Sequence, residues 1–267
     1  MNRWQGKNAM VTGAASGIGK AIATELLKRK VNVLALDTNC AKLSAASDEW
    51  KRLERYGKFC IKRCDVTNEQ DLEEAFSFVA KEWDGLHILV NSAGVFSTAR
   101  IIDSDREALE RLLNVNVLGT TLCVVRGVRL MRERDVEGHI FNINSMAGHH
   151  VPYKNFSEKD KYSGSSLYPA SKFASVALTE SVRRELAAIK ARIRITSVCP
   201  GLVNTDMIHP SELSGDVKTH PHLEPEDVAN AVMYALSTRP EVQISEMKIQ
   251  HTNEVYEVSN SRVDNSC

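Results

Sequence analysis

Apolar residues along this chain alternate between two rhythms. Short runs rich in Val, Ile and Leu fall at 8–11, 31–36, 58–64, 86–91, 138–144, 192–198 and 242–250, and each reads as a strand. Between them, apolar positions recur three and four residues apart. Ile22, Leu26 and Leu27 make one such helical face, Leu72, Ala75, Phe76, Val79 and Trp83 a second, and Val176, Leu178, Val182 and Leu186 contribute to a third. Strand and helix in alternation, with no repeat or low-complexity block, imply a parallel sheet covered by helices on both sides. The expected architecture is a doubly wound α/β fold with seven parallel strands. It occupies one domain over 1–250, followed by a polar, disordered tail over 251–267.

The first strand leads into Thr12-Gly13-Ala14-Ala15-Ser16-Gly17-Ile18-Gly19, and a helical pattern follows at once. A strand, a glycine turn and a helix in that order open a dinucleotide-binding unit of the Rossmann type. Glycine lets the backbone turn tightly and approach a pyrophosphate, whose charge the helix N-terminus meets. The glycine spacing is wider than the common G-x-G-x-x-G, so a purely structural turn stays open at this point. The second strand ends on Asp37, about twenty residues past the turn. A carboxylate there accepts hydrogen bonds from the adenosine ribose hydroxyls and repels a 2′-phosphate, which favours NAD over NADP. The alternative is that Asp37 caps the next helix, a role open to Thr38 and Asn39 as well.

Farther along, Tyr168-Pro169-Ala170-Ser171-Lys172 reads as the first turn of a helix. Residues four apart share a helix face, so the phenol and the amine are neighbours. A phenol ordinarily titrates near pH ~10, and a lysine ammonium beside it is expected to bring that value down and make an acid/base pair. Such a pair is common by chance; the upstream glycine turn supplies the cofactor that gives it a purpose. Asn91, Ser145 and Pro200 all fall at the carboxyl ends of expected strands, the edge where open α/β sheets bind ligands.

With these residues in hand, the chain resembles the short-chain dehydrogenase/reductase family in its compact single-domain branch. The matching motifs, in order, are the Thr12-to-Gly19 turn, Cys64-Asp65-Val66, Asn91-Ser92-Ala93-Gly94, Asn114-Val115-Asn116-Val117-Leu118-Gly119, Asn144-Ser145-Met146-Ala147-Gly148, the Tyr168 and Lys172 pair, and Pro200-Gly201-Leu202-Val203-Asn204-Thr205. Two departures stand out: Ser92 replaces a second Asn, and the interval from Ser145 to Tyr168 is long. The resemblance implies a catalytic set of Asn116, Ser145, Tyr168 and Lys172. It implies a cofactor set of Gly13, Ser16, Gly17, Ile18, Gly19, Asp37, Asp65, Val66, Asn91, Ala93, Gly94, Tyr168, Lys172, Pro200, Gly201, Val203 and Thr205. In those terms Tyr168 exchanges the substrate's hydroxyl proton, Ser145 steadies its oxygen, and Lys172 holds the phenolate and the nicotinamide ribose. Asn116 fixes a water that links Lys172 to solvent. Several stretches, among them Glu180-Ser181-Val182-Arg183-Arg184-Glu185-Leu186, are similar to insect farnesol dehydrogenases and a related vertebrate reductase branch. That narrower likeness implies a hydrophobic, isoprenoid alcohol as substrate, with the corresponding aldehyde or ketone as product. A carbonyl, steroid or prostaglandin reductase is the rival within the class, and a non-catalytic dinucleotide sensor the rival outside it.

Composition narrows the setting. Lys and Arg together number 34, as do Asp and Glu, which argues against a nucleic-acid or membrane footprint. No run of uncharged apolar residues is long enough for a membrane span, and the polar start leaves no room for a signal peptide. The six cysteines are scattered and read as free thiols, and no His/Cys group has zinc-ligand spacing. A metal-free, cytoplasmic enzyme is the expectation. The family resemblance implies a homodimer or homotetramer through two long helices beginning near Asp105 and Ser166. Two segments are expected to shape the substrate pocket: 149–166, with Tyr153 and Phe156 as apolar anchors, and 204–222, read as a lid lined by Met207, Ile208 and Leu213.

Overall fold

The computed structural model describes residues 1–54, 56–151, 166–207 and 220–254. Seven strands form one sheet: β1 (Asn8–Thr12), β2 (Asn32–Asp37), β3 (Phe59–Arg63), β4 (Ile88–Asn91), β5 (Gly138–Ile143), β6 (Ile193–Pro200) and β7 (Glu246–Ile249). Their order across the sheet is β3-β2-β1-β4-β5-β6-β7, and every pairing is parallel. Chain order therefore reverses between β1 and β4. At that switch point the connections leave toward opposite faces and open a crevice at the strands' carboxyl ends.

Alternation along the strands sorts side chains into two cores. On one face, Ala9 and Val11 of β1 pack with Ile22, Leu26 and Leu27 of α1 (Gly17–Lys28) and Val232 and Leu236 of α7 (Pro225–Ser237). On the other, Met10, Leu34 and Leu89 pack with Leu72 and Val79 of α3 (Glu69–Glu82) and Cys123 and Met131 of α5 (Thr120–Glu133). The apolar spacing expected for α1 and α3 is the spacing that is buried. α2 (Cys40–Trp50) starts on Asn39, whose side chain accepts from the Lys42 amide, so Asp37 is not the cap. α4 (Arg106–Leu113), a π-helical turn (Asn114–Gly119) and α5 form one helical run, with Asp105 capping its start. This run, Arg106–Glu133, is the one described helix long and apolar enough to cross a membrane. Its inner side is buried within the fold, through Leu112, Asn116, Gly119, Cys123 and Gly127.

α6 (Tyr168–Ala188) differs from the sequence expectation. Of the apolar stripe proposed for it only Leu186 is buried, while Val176, Leu178 and Val182 are partly exposed. The face turned inward carries Ser171, Lys172, Ser175 and Thr179. Small hydroxyl residues let the helix backbone approach closely, and their oxygens find partners: the Thr179 hydroxyl accepts from Asn142 Nδ2 at 2.9 Å and donates to the Ser175 carbonyl at 2.7 Å. Gly148 belongs to the same close approach. A Cβ there would stand 2.9 Å from both the Lys172 carbonyl oxygen and Val176 Cγ2.

β7 is shorter than the 242–250 run suggested. Gln243 replaces the missing ladder, its side-chain nitrogen donating to the Ile195 carbonyl at 2.7 Å, while the Thr196 hydroxyl donates to the Ile244 carbonyl at 2.7 Å. Residues 251–254 fold back on the turn after β6. Glu254 accepts there from the Leu202 amide at 3.0 Å.

Gly148→Ala tests the close approach of α6. The added methyl meets backbone on one side, so we expect a loss of about 1–3 kcal/mol of stability by urea denaturation. An unchanged midpoint would show that the loop and helix have slack.

Candidate active site

The glycine turn joins β1 to α1 where the sheet order reverses. Gly13 and Gly17 have φ of +66° and +51°, a region side chains other than glycine rarely occupy. A Cβ on Gly13 would lie 2.9 Å from the Ala93 amide nitrogen, so the turn and the loop after β4 are in backbone contact. Thr12 holds that contact, its hydroxyl oxygen accepting from the amides of Ser92 and Ala93 at 3.1 Å each. A Cβ on Gly19 would collide with the Gly13 carbonyl. Ser16 precedes α1 in extended conformation and makes no side-chain capping bond, and the first turn, which includes Ile18, carries no acid. A helix N-terminus left free of carboxylate, reached over bare backbone, fits a phosphate.

Asp37 closes this cradle on one side. One carboxylate oxygen accepts from the Ala15 amide at 3.0 Å and the other from the Asn39 amide at 2.8 Å. Each retains lone-pair capacity for a further donor. Its register partner on β3 is Arg63, which is ion-paired with Asp71 at 2.8 Å. Asp65 is occupied locally by Thr67, and Val66 is buried against Gly119 at the end of the π turn. Asn91 donates to Asn142 at 2.8 Å, and its buried Oδ1 lacks a partner. Gly94 lies under Asn116, its notional Cβ 3.4 Å from Oδ1.

Beyond β6, the chain passes Pro200 and folds over the cradle. Gly201 leaves room for the Glu254 carboxylate, and Val203 bridges to Leu223. Thr205 Cγ2 sits 3.0 Å from where a Gly17 Cβ would stand, and Asp206 pairs with Lys42 at 2.7 Å. The segments before and after the sheet's switch point are thus drawn to one place.

Ser145, Tyr168 and Lys172 meet beside it. Ser145 caps a short 3-10 turn (Met146–Gly148) by accepting from the Ala147 amide at 3.1 Å, and its side chain lies beside the Tyr168 phenol. The capping role and the contact with tyrosine coexist. Lys172 Nζ donates to the Ile143 carbonyl at 3.0 Å and lies 5.5 Å from the Tyr168 ring centre. Asn116 is 2 % exposed on the π turn, where the helical ladder is widened. Its amide group clamps Val95 through both N–H and C=O (2.8 and 2.9 Å) and donates to Ser171 at 3.1 Å. The side chain of Asn116 therefore couples the loop after β4 to α6.

Burial governs the charges here. It pushes the Tyr168 phenol up to about 12, with the Ser145 side chain opposing the rise. It draws the Lys172 amine down to about 8, the negative charge of a Cys199 thiolate acting weakly the other way. The expectation that the ammonium would lower the phenol's pKa is therefore corrected. Desolvation outweighs attraction because both groups are enclosed and the amine is aimed at a backbone carbonyl.

Phe96 belongs to this site and escaped sequence reading, while Thr12 and Ser171 were read only as members of their motifs, with no role of their own. Phe96 packs edge-on against Tyr168 with ring centres 4.8 Å apart. Its position two residues past Gly94 was the available signal. Met207, an exposed side chain, lies 3.9 Å from the notional Cβ of Gly94. Tyr153, Phe156, Ile208 and Leu213 lie outside the described residues. One polar cluster is assembled only by the fold: donor atoms of His149, Cys199 and Glu246 lie within 4.8 Å of one another.

A short chain dehydrogenase family model matches residues 7–214. A farnesol dehydrogenase of Aedes aegypti is 37 % identical over 257 residues, covering 96 % of this chain and all of the relative. Dehydrogenase/reductase SDR family member 11 of Bos taurus is 36 % identical over 262 residues, with 96 % and 100 % covered. Among solved structures, a short-chain type dehydrogenase/reductase from Mycobacterium marinum superposes with a TM-score of 0.81 at 28 % identity, covering 93 % of this chain and 95 % of that one. The closed form of a serine dehydrogenase complexed with NADP+ has a TM-score of 0.81 at 26 % identity, with 95 % and 98 % covered. With the switch-point cradle and the motifs in order along a matching fold, this chain belongs to the short-chain dehydrogenase family of oxidoreductases.

Proposed function

We propose that this protein is an NAD-dependent alcohol dehydrogenase for a hydrophobic, isoprenoid alcohol of the farnesol or geraniol type. The observation that carries the reading is the meeting of Ser145 and Tyr168, with the Lys172 amine over the same ring, beside the glycine turn. Gly13, Ser16, Gly17, Ile18 and Gly19 would hold the pyrophosphate. Asp37 would hold the adenosine ribose, and Asp65 and Val66 the adenine. Asn91, Ala93, Gly94, Pro200, Gly201, Val203 and Thr205 would hold the nicotinamide half. When bound, the dinucleotide supplies the hydride acceptor or donor. Tyr168 then exchanges the proton of the substrate oxygen, Ser145 donates to that oxygen, and Lys172 stabilises the phenolate. Asn116 keeps Val95 and Ser171 at fixed spacing, and so holds Phe96 and Tyr168 in place.

A phenol near 12 keeps its proton through the neutral range, which suits Tyr168 as the acid in carbonyl reduction. Oxidation needs the phenolate and gains as pH rises. This favours a carbonyl or steroid reductase as the second reading. The apolar surroundings, Phe96 against the phenol and Met207 by Gly94, support a hydrophobic substrate. The farnesol dehydrogenase relative supports an isoprenoid one. Comparing turnover of farnesol, steroid and prostaglandin alcohols separates the readings; a dominant rate on steroids would sink the isoprenoid assignment. Five described cysteines are free thiols, which fits a reducing, cytoplasmic setting.

Tyr168→Phe is expected to lower turnover by about two orders of magnitude or more while dinucleotide binding persists. Lys172→Met should also cripple turnover, with a separate signature in stability. The amine falls from its ordinary 10.5 to about 8 on folding, so below pH 8 the fold must carry a buried cation. Between those values the unfolded chain holds a proton that the folded one has lost, and stability rises with pH. At pH 7 the penalty is about 3 kcal/mol. Measured without dinucleotide, any stability advantage of Lys172→Met should be largest at neutral pH and shrink as pH approaches 10.5. A pH-independent difference in melting temperature would refute the buried cation.

Asp37→Ala should cut the preference for NAD over NADP in kcat/KM by about tenfold or more, because it removes a hydrogen-bond acceptor and a repulsive charge together. The rival arrangement is Arg63 leaving Asp71 to meet a 2′-phosphate. A wild-type preference for NADP, lost in Arg63→Ala, would establish it.

A homodimer or homotetramer is proposed through α5 and α6. Their outer sides leave an apolar groove lined by Val124, Val125, Val128, Val182 and Ile189. Light scattering should give two or four times the chain mass of 29.7 kDa, and a monomer mass would exclude it.

A further inference from the structure

We propose that His149, Cys199 and Glu246 form a zinc-binding site at the foot of the loop that carries Ser145. The residues come from three separate stretches: the end of the 3-10 turn after β5, the penultimate position of β6, and the first position of β7. Sequence spacing gives no hint of them, and parallel pairing of β5, β6 and β7 brings them together.

The geometry suits a tetrahedral d10 ion. His149 Nε2 and Glu246 Oε2 are 3.1 Å apart, close to the edge of about 3.3 Å that bonds of about 2.0–2.1 Å would span. The Cys199 sulfur completes a set of three donor atoms within 4.8 Å of one another. His149 Nε2 is buried at the atom level and finds no partner of hydrogen-bonding geometry despite its nearness to the carboxylate. An imidazole nitrogen held toward a carboxylate and a thiol without a hydrogen bond is what a bound cation would satisfy.

Charge and chemistry agree on the ion. Thiolate and carboxylate together neutralise a divalent cation, with the imidazole neutral, which suits a partly enclosed site. Sulfur and imidazole donors select zinc over magnesium or calcium. Binding replaces the S–H bond with an S–Zn bond and releases the thiol proton to solvent, while water fills the fourth position. The supports of the ligands are in place. Ser197 Oγ lies 3.2 Å from Cys199 Sγ and accepts from Asn144 at 2.7 Å, and Lys248 Nζ stands 3.4 Å from the other Glu246 oxygen. Since Asn144 precedes Ser145 and Cys199 precedes Pro200, an ion here would tie the catalytic loop to the turn after β6.

The test is a cobalt(II) titration of the full chain after chelator treatment. One equivalent per chain should produce a thiolate-to-cobalt charge-transfer band in the near ultraviolet, which zinc then displaces. Cys199→Ser should remove the band, and Glu246→Gln should weaken zinc affinity at least tenfold. Zinc should raise the melting temperature of the wild type by several degrees and that of Cys199→Ser not at all. Absence of the band, or a band that survives in Cys199→Ser, would overturn the proposal, the second by assigning the metal to another thiol. Should Cys199→Ser not fold, Glu246→Gln and His149→Gln carry the test, and unchanged zinc affinity in both would refute it.

Discussion

The approach of α6 to the sheet, made through hydroxyl side chains in place of large apolar ones, is the constraint on which the site depends. Ser171, Ser175 and Thr179 are small enough to let the helix lie close, and Gly148 admits it from the side of the loop. The Ser171 and Thr179 hydroxyls have partners, so closeness costs little in unpaired polar groups. With that spacing set, Lys172 reaches the Ile143 carbonyl and Tyr168 reaches Ser145. A helix packed through Leu and Ile would stand farther off and lose both contacts.

The same enclosure produces the electrostatics. Taking a phenol and an amine out of water disfavours the charged form of each, which moves Tyr168 up and Lys172 down. Among the described residues, no carboxylate relieves either. The pair is therefore poised to respond to whatever charge arrives on the substrate side, a property an exposed Tyr and Lys at the same spacing would lack. Asn116 contributes indirectly. By clamping Val95 and Ser171 it makes the loop after β4 and the start of α6 one body, and the π turn that presents it ends at Gly119, where only glycine admits Val66.

The dinucleotide cradle depends on a different contact, between loops that leave β1 and β4 in opposite directions. Thr12 ties them by accepting from two amides, and Asp37 ties the end of β2 to the turn through Ala15. Both are backbone contacts of side chains that carry strand propensity or charge, and neither is visible from composition. That Asn91, Ser145 and Pro200 share one edge was legible, because parallel strands deliver their carboxyl ends there.

What could be read in one dimension was whatever has a short period or a fixed local geometry. The strands, the faces of α1 and α3, the turn that needs glycine at positive φ and the helix start at Tyr168 are all of this kind. Contacts between distant residues were out of reach: the polar inner face of α6, Gln243 standing in for a strand, Glu254 on the turn after β6, and the meeting of His149, Cys199 and Glu246. The phenol's pKa was misread for the same reason. Adjacency of Tyr168 and Lys172 is a property of four residues of helix, whereas their desolvation is a property of everything folded around them.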